Sequence, residues 1–178
     1  MIVKFDEFFE KKRTIKKGDY GCVMIYPKID NWDETTSIIN KSDIYKNGDE
    51  SYGIIKDPHI TVLFGLHSDV TLDDVRNSLK KFKGKSIDID IDGIGKFDND
   101  DFSVVKLNVN CDILHKMNKE LSKLPHTTNF THYSPHMTIA YVLPGKASKY
   151  VSDDYKVKFK VDKIIYYTTD DEYKEIDL

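Results

Sequence analysis

The sequence predicts an α+β protein of two pseudo-symmetric lobes, with antiparallel sheets forming a central cleft and helices on the outside. Three observations carry this. A short phrase occurs twice, as Pro58-His59-Ile60-Thr61 and Pro135-His136-Met137-Thr138, each time leading into a run rich in strand-forming residues. Helical and strand patterns alternate with hairpin-type neighbours, which suits an α+β arrangement better than a doubly wound parallel sheet. No low-complexity linker interrupts the chain, so residues 1–178 read as one two-lobed domain, each lobe giving one central strand.

The elements follow in order. In residues 2–12, Ile2, Phe5, Phe8 and Phe9 fall on one side of a short amphipathic helix. A basic turn, "KKRTIKK", comes next; it suits a solvated face or the steering of an anionic nucleotide. "YGCVMIYP" is a compact apolar strand stopped by Pro27. "NWDETTSIINKS" reads as a helix capped at Asn31, with Glu34 three residues on. Residues 43–57 are long, polar and glycine-bearing, a loop that enters directly into the first Pro-His. It is expected to form a mobile wall or lid at the site.

"HITVLFGL" is a strand. "TLDDVRNSLKKFKG" is a helix with Thr71 as N-cap, Asp73 and Asp74 in its first turn, lysines near its end and Gly84 as stop. "SIDIDIDGIGKF" and "FSVVKLNVN" are strands. "CDILHKMNKELSKLP" is a helix ended by Pro125, "HMTIAYVLP" a strand, and "YKVKFKVDKIIYYTT" the last strand region.

Composition narrows the function. A net charge of −3 does not advertise a nucleic-acid polyanion as partner. No apolar run approaches membrane-spanning length, and charges at Lys4, Asp6 and Glu7 leave no secretory core at the start. Cys22 and Cys111 lack metal-type spacing and suit a reducing cytoplasm, where the sequon at Asn129 is chance. Basic charge is almost all Lys, and Ala occurs only at Ala140 and Ala147, a bias that resembles A+T-rich genomes such as those of many phages.

On a strand, residues two apart share a face. His59 and Thr61 therefore point together, as do His136 and Thr138, while Ile60, Val62, Met137 and Ile139 turn toward the core. Side by side, the two strands would offer two imidazoles and two hydroxyls to one cleft. Two imidazoles flanking a phosphodiester can serve as base and acid. Threonine hydroxyls can donate to the non-bridging oxygens where charge builds. No metal or cofactor is required, but the substrate needs an adjacent hydroxyl or a strained cyclic phosphate. Symmetry leaves open which histidine is acid and which is base.

This pair of His-x-Thr strands resembles the 2H phosphoesterase superfamily, which includes RNA 2′,3′-cyclic phosphodiesterases of the 2′-5′ ligase type, 2′,5′-oligoadenylate phosphodiesterases and phage anti-CBASS enzymes. The resemblance runs from "YGCVMIYP" through the final strands, and "KFDNDDFSVVKLNV" is similar to the family's hairpin. It implies that His59 and His136 are the catalytic pair and that Thr61 and Thr138 bind phosphate. The expected activity is cleavage of a small nucleotide, foremost a cyclic or 2′-5′-linked oligonucleotide signal in phage evasion of host defence. The alternatives are opening of RNA 2′,3′-cyclic phosphates and an idle, nucleotide-sequestering member. No Arg-rich surface speaks for long RNA.

Aromatic side chains could stack on bases. Tyr20 at the mouth of the first strand, Tyr45 and Tyr52 in the long loop, and Tyr133 just before the second phrase are the candidates. Strict alternation turns Phe64 and Tyr141 away from the histidines, toward the core. Asp88, Asp90, Asp92 and Gly93 begin like a calcium loop, but Asn99 stands where the bidentate Glu belongs, and alternating Ile and Asp suits a half-buried strand. "GIGKFD" lacks the third glycine of a dinucleotide fingerprint. His115 sits in a helix, and His126 and His132 flank "TTNFT" near the cleft rim.

Overall fold

The computed structural model describes residues 20–49, 51–128, 130–170 and 172–178. The expected helix at 2–12, the basic run and the Asn129 sequon lie outside the described residues. Among the described residues eight strands form two antiparallel four-stranded sheets. One has the order β2 (Ile60–Leu66), β1 (Gly21–Ile25), β7 (Lys163–Tyr167), β8 (Tyr173–Asp177). The other has the order β5 (His136–Val142), β4 (Ser103–Asn110), β3 (Ile87–Asp98), β6 (Ser152–Val161). The helices are α1 (Trp32–Ser37), α2 (Leu72–Leu79) and α3 (Asp112–Leu121).

Both phrase-bearing strands are edge strands of their own sheets, not central ones as the sequence suggested. They are central only to the molecule. Nor is each lobe one stretch of chain. The last strand region splits at Asp162: β6 closes the second sheet, and β7 returns to pair with β1. The expected single region therefore feeds both lobes.

One core underlies both sheets. Val75 and Leu79 of α2 and Leu114, Met117 and Leu121 of α3 enter it together with Ile60, Val62, Met137 and Ile139. The 114/117/121 spacing puts one helical stripe inward. Thr71 caps α2 as expected, accepting from the Asp74 N–H while the Asp74 carboxylate accepts from the Thr71 N–H. Asn31 does not cap α1 with its side chain; it stands at φ 68°, a left-handed conformation that Asn tolerates.

On β3, Ile87, Ile89 and Ile91 are buried, and the intervening aspartates face lysines across the β3–β6 ladder. Asp88 pairs with Lys160 at 3.5 Å, Asp90 with Lys158 at 3.2 Å, and Asp92 with Lys156. The alternation that mimicked a calcium loop is a wet ion-pair ladder.

An edge strand leaves backbone groups unpaired, and these must be satisfied when buried. For β2 the partners come from the other lobe. The Asn118 amide of α3 donates to the Val62 carbonyl at 2.7 Å, the Tyr133 hydroxyl donates to the Thr61 carbonyl at 3.0 Å, and the Thr127 N–H donates to the Gly65 carbonyl at 2.8 Å. Gly65 has φ +96°, and a Cβ there would lie 1.9 Å from the Thr127 carbonyl oxygen.

This contact supplies a stability test. Gly65→Ala should cost more than about 2 kcal/mol, combining a left-handed backbone with a backbone clash. Urea unfolding measures it. A loss within about 0.5 kcal/mol, the range of neutral surface changes, would mean that the 125–127 segment yields freely.

Candidate functional site

The two phrases fold alike. His59 Nδ1 lies 3.1 Å from the Asp57 carbonyl oxygen, and His136 Nδ1 lies 2.8 Å from the Ser134 carbonyl oxygen. A carbonyl only accepts, so each Nδ1 carries the proton and each Nε2 is left for proton transfer. The intervening Pro58 and Pro135 explain the first letter of the phrase. Proline fixes its own φ and pushes the residue before it into an extended conformation. That geometry turns the carbonyl two residues back toward the ring.

The strands are also irregular at the same place. Val62 on β2 is skipped in the pairing with β1, where Thr61 faces Met24 and Leu63 faces Val23. Ile139 on β5 is skipped in the pairing with β4, where Thr138 faces Lys106 and Ala140 faces Val105. Each skipped residue stands three positions after its histidine. A bulge resets which side chains share a face. Phe64, opposite Cys22, thus returns to the side of Thr61, and Tyr141, opposite Val104, to the side of Thr138. The expectation that both turn away from the histidine side is corrected: strict alternation fails at the two bulges.

The His59 side carries Tyr26, whose ring centroid lies 5.7 Å from the imidazole, and Tyr167, whose hydroxyl is 3.1 Å from that of Tyr26. Burial, then the Tyr167 hydroxyl, pushes the Tyr26 phenol well above its ordinary range, so it stays a neutral donor and acceptor. Sequence reasoning missed both residues. The available signal was register: with Ile25 opposite Ile60, the next residue reaches His59.

The His136 side carries Asn108, opposite His136, and Lys106, opposite Thr138. Phe97 of β3 meets the His136 ring edge-on, with centroids 5.0 Å apart. Burial is the largest influence on the His136 ring and disfavours its charged form. The Ser134 carbonyl opposes this by favouring the protonated ring, while the positive neighbours Lys106 and His59 add to the burial effect, and the pKa falls to about 4. The ring keeps partial solvent access. His59 is the smallest of these influences, and the strands that carry the two histidines, β2 and β5, are in contact.

The aromatic candidates divide. Tyr45 and Tyr52 reach the His136 face of β5. Their rings pack on Phe102 at 5.5 and 5.3 Å, and Tyr52 meets Tyr141 at 5.1 Å. Two arms of the loop that holds them are docked along β5, whose backbone exchanges hydrogen bonds with Tyr45, Gly53 and Ile55, while the Leu143 N–H just beyond the strand donates to the Asp43 carbonyl. The Trp32 indole donates to the Ile55 carbonyl at 2.7 Å, and the buried Asp43 carboxylate accepts from Lys149 at 2.5 Å and from Tyr150. These arms form a wall fixed to the strand edge, where the sequence suggested a mobile wall or lid.

Tyr20 stands at the far end of β2, against Phe64 and His67. Tyr133 is the strut to the Thr61 carbonyl and meets the His115 ring edge-on. These contacts hold Tyr133 as a cross-lobe tie, and they account for it better than base stacking does. His126 also bridges to the far end of β2. Among the described residues no group of three or more His, Cys, Asp or Glu side chains is placed to hold a metal ion.

Nuclear magnetic resonance tests the electrostatics of His136. Its ring should titrate near pH 4, far below the ordinary value of about 6.5. Because the folded pKa is depressed, the unfolded chain binds the proton first as pH falls. The histidine therefore contributes stability that is full above about 6.5 and lost as pH drops toward 4. A ring that titrates at its ordinary value would contradict this picture of the site.

Comparison with known proteins bears on both fold and site. A family model, the 2′-5′ RNA ligase superfamily, matches residues 29–172. Usb1 of Kluyveromyces marxianus, solved with uridine monophosphate, superposes with a TM-score of 0.57 at 7% identity, covering 92% of this chain and 100% of that one. LigT of E. coli, complexed with 3′-AMP, gives 0.57 at 8% identity, covering 89% and 95%. TT0787 of Thermus thermophilus gives 0.57 at 11% identity, with the same coverage. At such identities the likeness speaks to fold alone. No curated protein sequence is significantly similar. With the model spanning most of the chain, on a fold of two open antiparallel sheets that these structures share, the chain belongs to the 2′-5′ RNA ligase superfamily, the 2H phosphoesterases.

Proposed function

We propose that this protein is a metal-independent phosphodiesterase that cleaves a small nucleotide at the paired His-x-Thr strands, and that its substrate is a cyclic or 2′-5′-linked oligonucleotide of the kind used as a defence signal. The observation that carries this reading is the matched pair itself. Two imidazoles, each with Nδ1 held by the carbonyl two residues back, stand at the starts of β2 and β5, two strands in contact and tied by the Tyr133 hydroxyl to the Thr61 carbonyl, and share their faces with two threonines.

In this reading His136 is the base, because burial and its cationic neighbours favour the neutral ring. Its Nε2 takes the proton of the attacking hydroxyl, either a ribose hydroxyl next to the phosphate or a water. The new O–P bond forms as the leaving O–P bond breaks, and His59 Nε2–H gives its proton to the departing oxygen. Thr61 and Thr138 donate to the non-bridging oxygens. The wall of Tyr45, Tyr52, Phe102 and Tyr141 supplies aromatic surface beside the reacting phosphate. Usb1 and LigT were solved with uridine monophosphate and 3′-AMP, which suits a small nucleotide here.

The test is turnover, with chelator present, on cyclic dinucleotides, cyclic trinucleotides, 2′-5′ oligoadenylate and 2′,3′-cyclic nucleotides, with products separated by chromatography. Activity should persist in chelator and follow a bell-shaped pH profile whose two limbs belong to the pair. His59→Ala and His136→Ala should each lose roughly 10²–10⁴-fold in rate. The double variant should lose far less than the product of the two, because the residues act as a unit. A folded single variant with near-normal turnover would sink the paired mechanism. Exclusive cleavage of 2′,3′-cyclic ends would move the substrate from signal nucleotide to RNA terminus.

A further inference from the structure

We infer that Lys106 is a phosphate-binding residue of this site, its ammonium group held beside Thr138 and His136 to take a non-bridging oxygen of the substrate; the inference rests on the reading of the cleft as a phosphodiester site. Lys106 lies in β4, a strand with a partner on either side, and it is only 7% exposed. Among the described residues no carboxylate pairs with it. A buried cation without a counter-ion is costly, and proteins retain such groups where a ligand brings the missing charge.

Its surroundings are built to hold it. Nζ lies 2.5 Å from Asn108 Oδ1 and 4.6 Å from the centroid of the Phe97 ring. The Asn108 amide donates in turn to the Asp92 carbonyl at 3.3 Å, which fixes Oδ1 toward the lysine. Gly95, opposite Lys106 on β3, makes the space: a Cβ there would lie 2.4 Å from Asn108 Oδ1 and 3.1 Å from Nζ. The segment "GIGKF", which fails as a dinucleotide fingerprint, thus supplies Gly95 and Phe97 to a lysine cradle.

One amide oxygen and one ring face leave an ammonium short of partners, since it has three donors to place. Lys106 and Thr138 are cross-strand partners, so ammonium and hydroxyl project from the same face and can take the same phosphate. Burial holds the lysine pKa below its ordinary value, and an arriving phosphate would reverse that.

The full-length Lys106→Met variant keeps an unbranched, flexible stem that is shorter by the ammonium group and removes the charge. It should be as thermally stable as wild type or more so, because a desolvated charge is gone. It should bind adenosine 3′-monophosphate and inorganic phosphate about 10–100-fold more weakly, with adenosine binding unchanged, and lose a similar factor in kcat/KM on whichever phosphodiester the wild type opens. In the wild type, the Lys106 ammonium followed by NMR should rise in pKa when adenosine 3′-monophosphate saturates the site.

A folded Lys106→Met that keeps both affinity and turnover overturns the inference and leaves the phosphodiesterase reading standing. Lys106-dependent binding of nucleotide in a protein that cleaves nothing in the panel upholds it and removes the enzyme. If the variant does not fold, the wild-type titration decides, and a lysine unmoved by saturating nucleotide overturns it. A wild type that binds neither phosphate probe also overturns it.

Discussion

The site depends on two sheet edges that face each other without pairing. Were β2 and β5 to zip together, the two sheets would become one and the space between His59 and His136 would close. The sequence prevents this by satisfying each edge with something else. On β2, Tyr133, Asn118 and Thr127 supply donors to the carbonyls of Thr61, Val62 and Gly65, and all three come from the other lobe. On β5, the backbone of residues 43–45 and 53–55 lies along the edge, bridged at Ile44 and Ile54. The same bonds that blunt the edges tie the lobes together, so the gap between the histidines is set by covalent geometry and hydrogen-bond lengths.

The Pro-His unit shows how much of a site is local and how much is placement. His126, in Pro125-His126-Thr127-Thr128, repeats the arrangement a third time: its Nδ1 lies 2.8 Å from the Leu124 carbonyl oxygen. The ring geometry thus follows from the dipeptide, wherever it stands. His126 sits at the other end of β2, by Leu66, whereas His59 and His136 open the two strands whose edges meet across the cleft. Equivalent local structure need not give equivalent chemistry either. His59 leans on the tyrosine pair Tyr26 and Tyr167, and His136 on Phe97 with a lysine nearby. The repeat is symmetric in backbone and asymmetric in electrostatics, and only the second kind of information can divide the roles of acid and base.

This also marks what the chain discloses as text. The shared face of His and Thr was legible because it depends on a spacing of two along one strand. The α2 cap was legible because Thr71 and Asp74 act within one turn. The bulges were not, since Val62 and Ile139 are ordinary apolar residues with no glycine to announce an irregularity. β8 escaped notice because "YKEID" buries only Ile176 and carries no alternation strong enough to separate it from a polar tail. Tyr26, Tyr167 and Lys106 needed knowledge of cross-strand register, which links residues far apart in the chain. The failed Asn31 cap had the right residue types, but the turn before α1 places Asn31 in a left-handed conformation that takes its side chain out of capping position.

The electrostatics of the His136 side make sense as one unit. Burial lowers the proton affinity of both Lys106 and His136, and the lysine's charge lowers that of the histidine further. A site with only an imidazole there would face a conflict, because an incoming phosphate anion favours the protonated ring and a base must be neutral. A lysine beside it resolves the conflict. On the proposed reading the ammonium, of higher intrinsic proton affinity, pairs with the phosphate, so less of the anion's field falls on the imidazole and the ring is not drawn to protonate. In the proposed chemistry the lysine meets the ground-state charge of the substrate, and His136 stays free to take the proton when the nucleophile attacks.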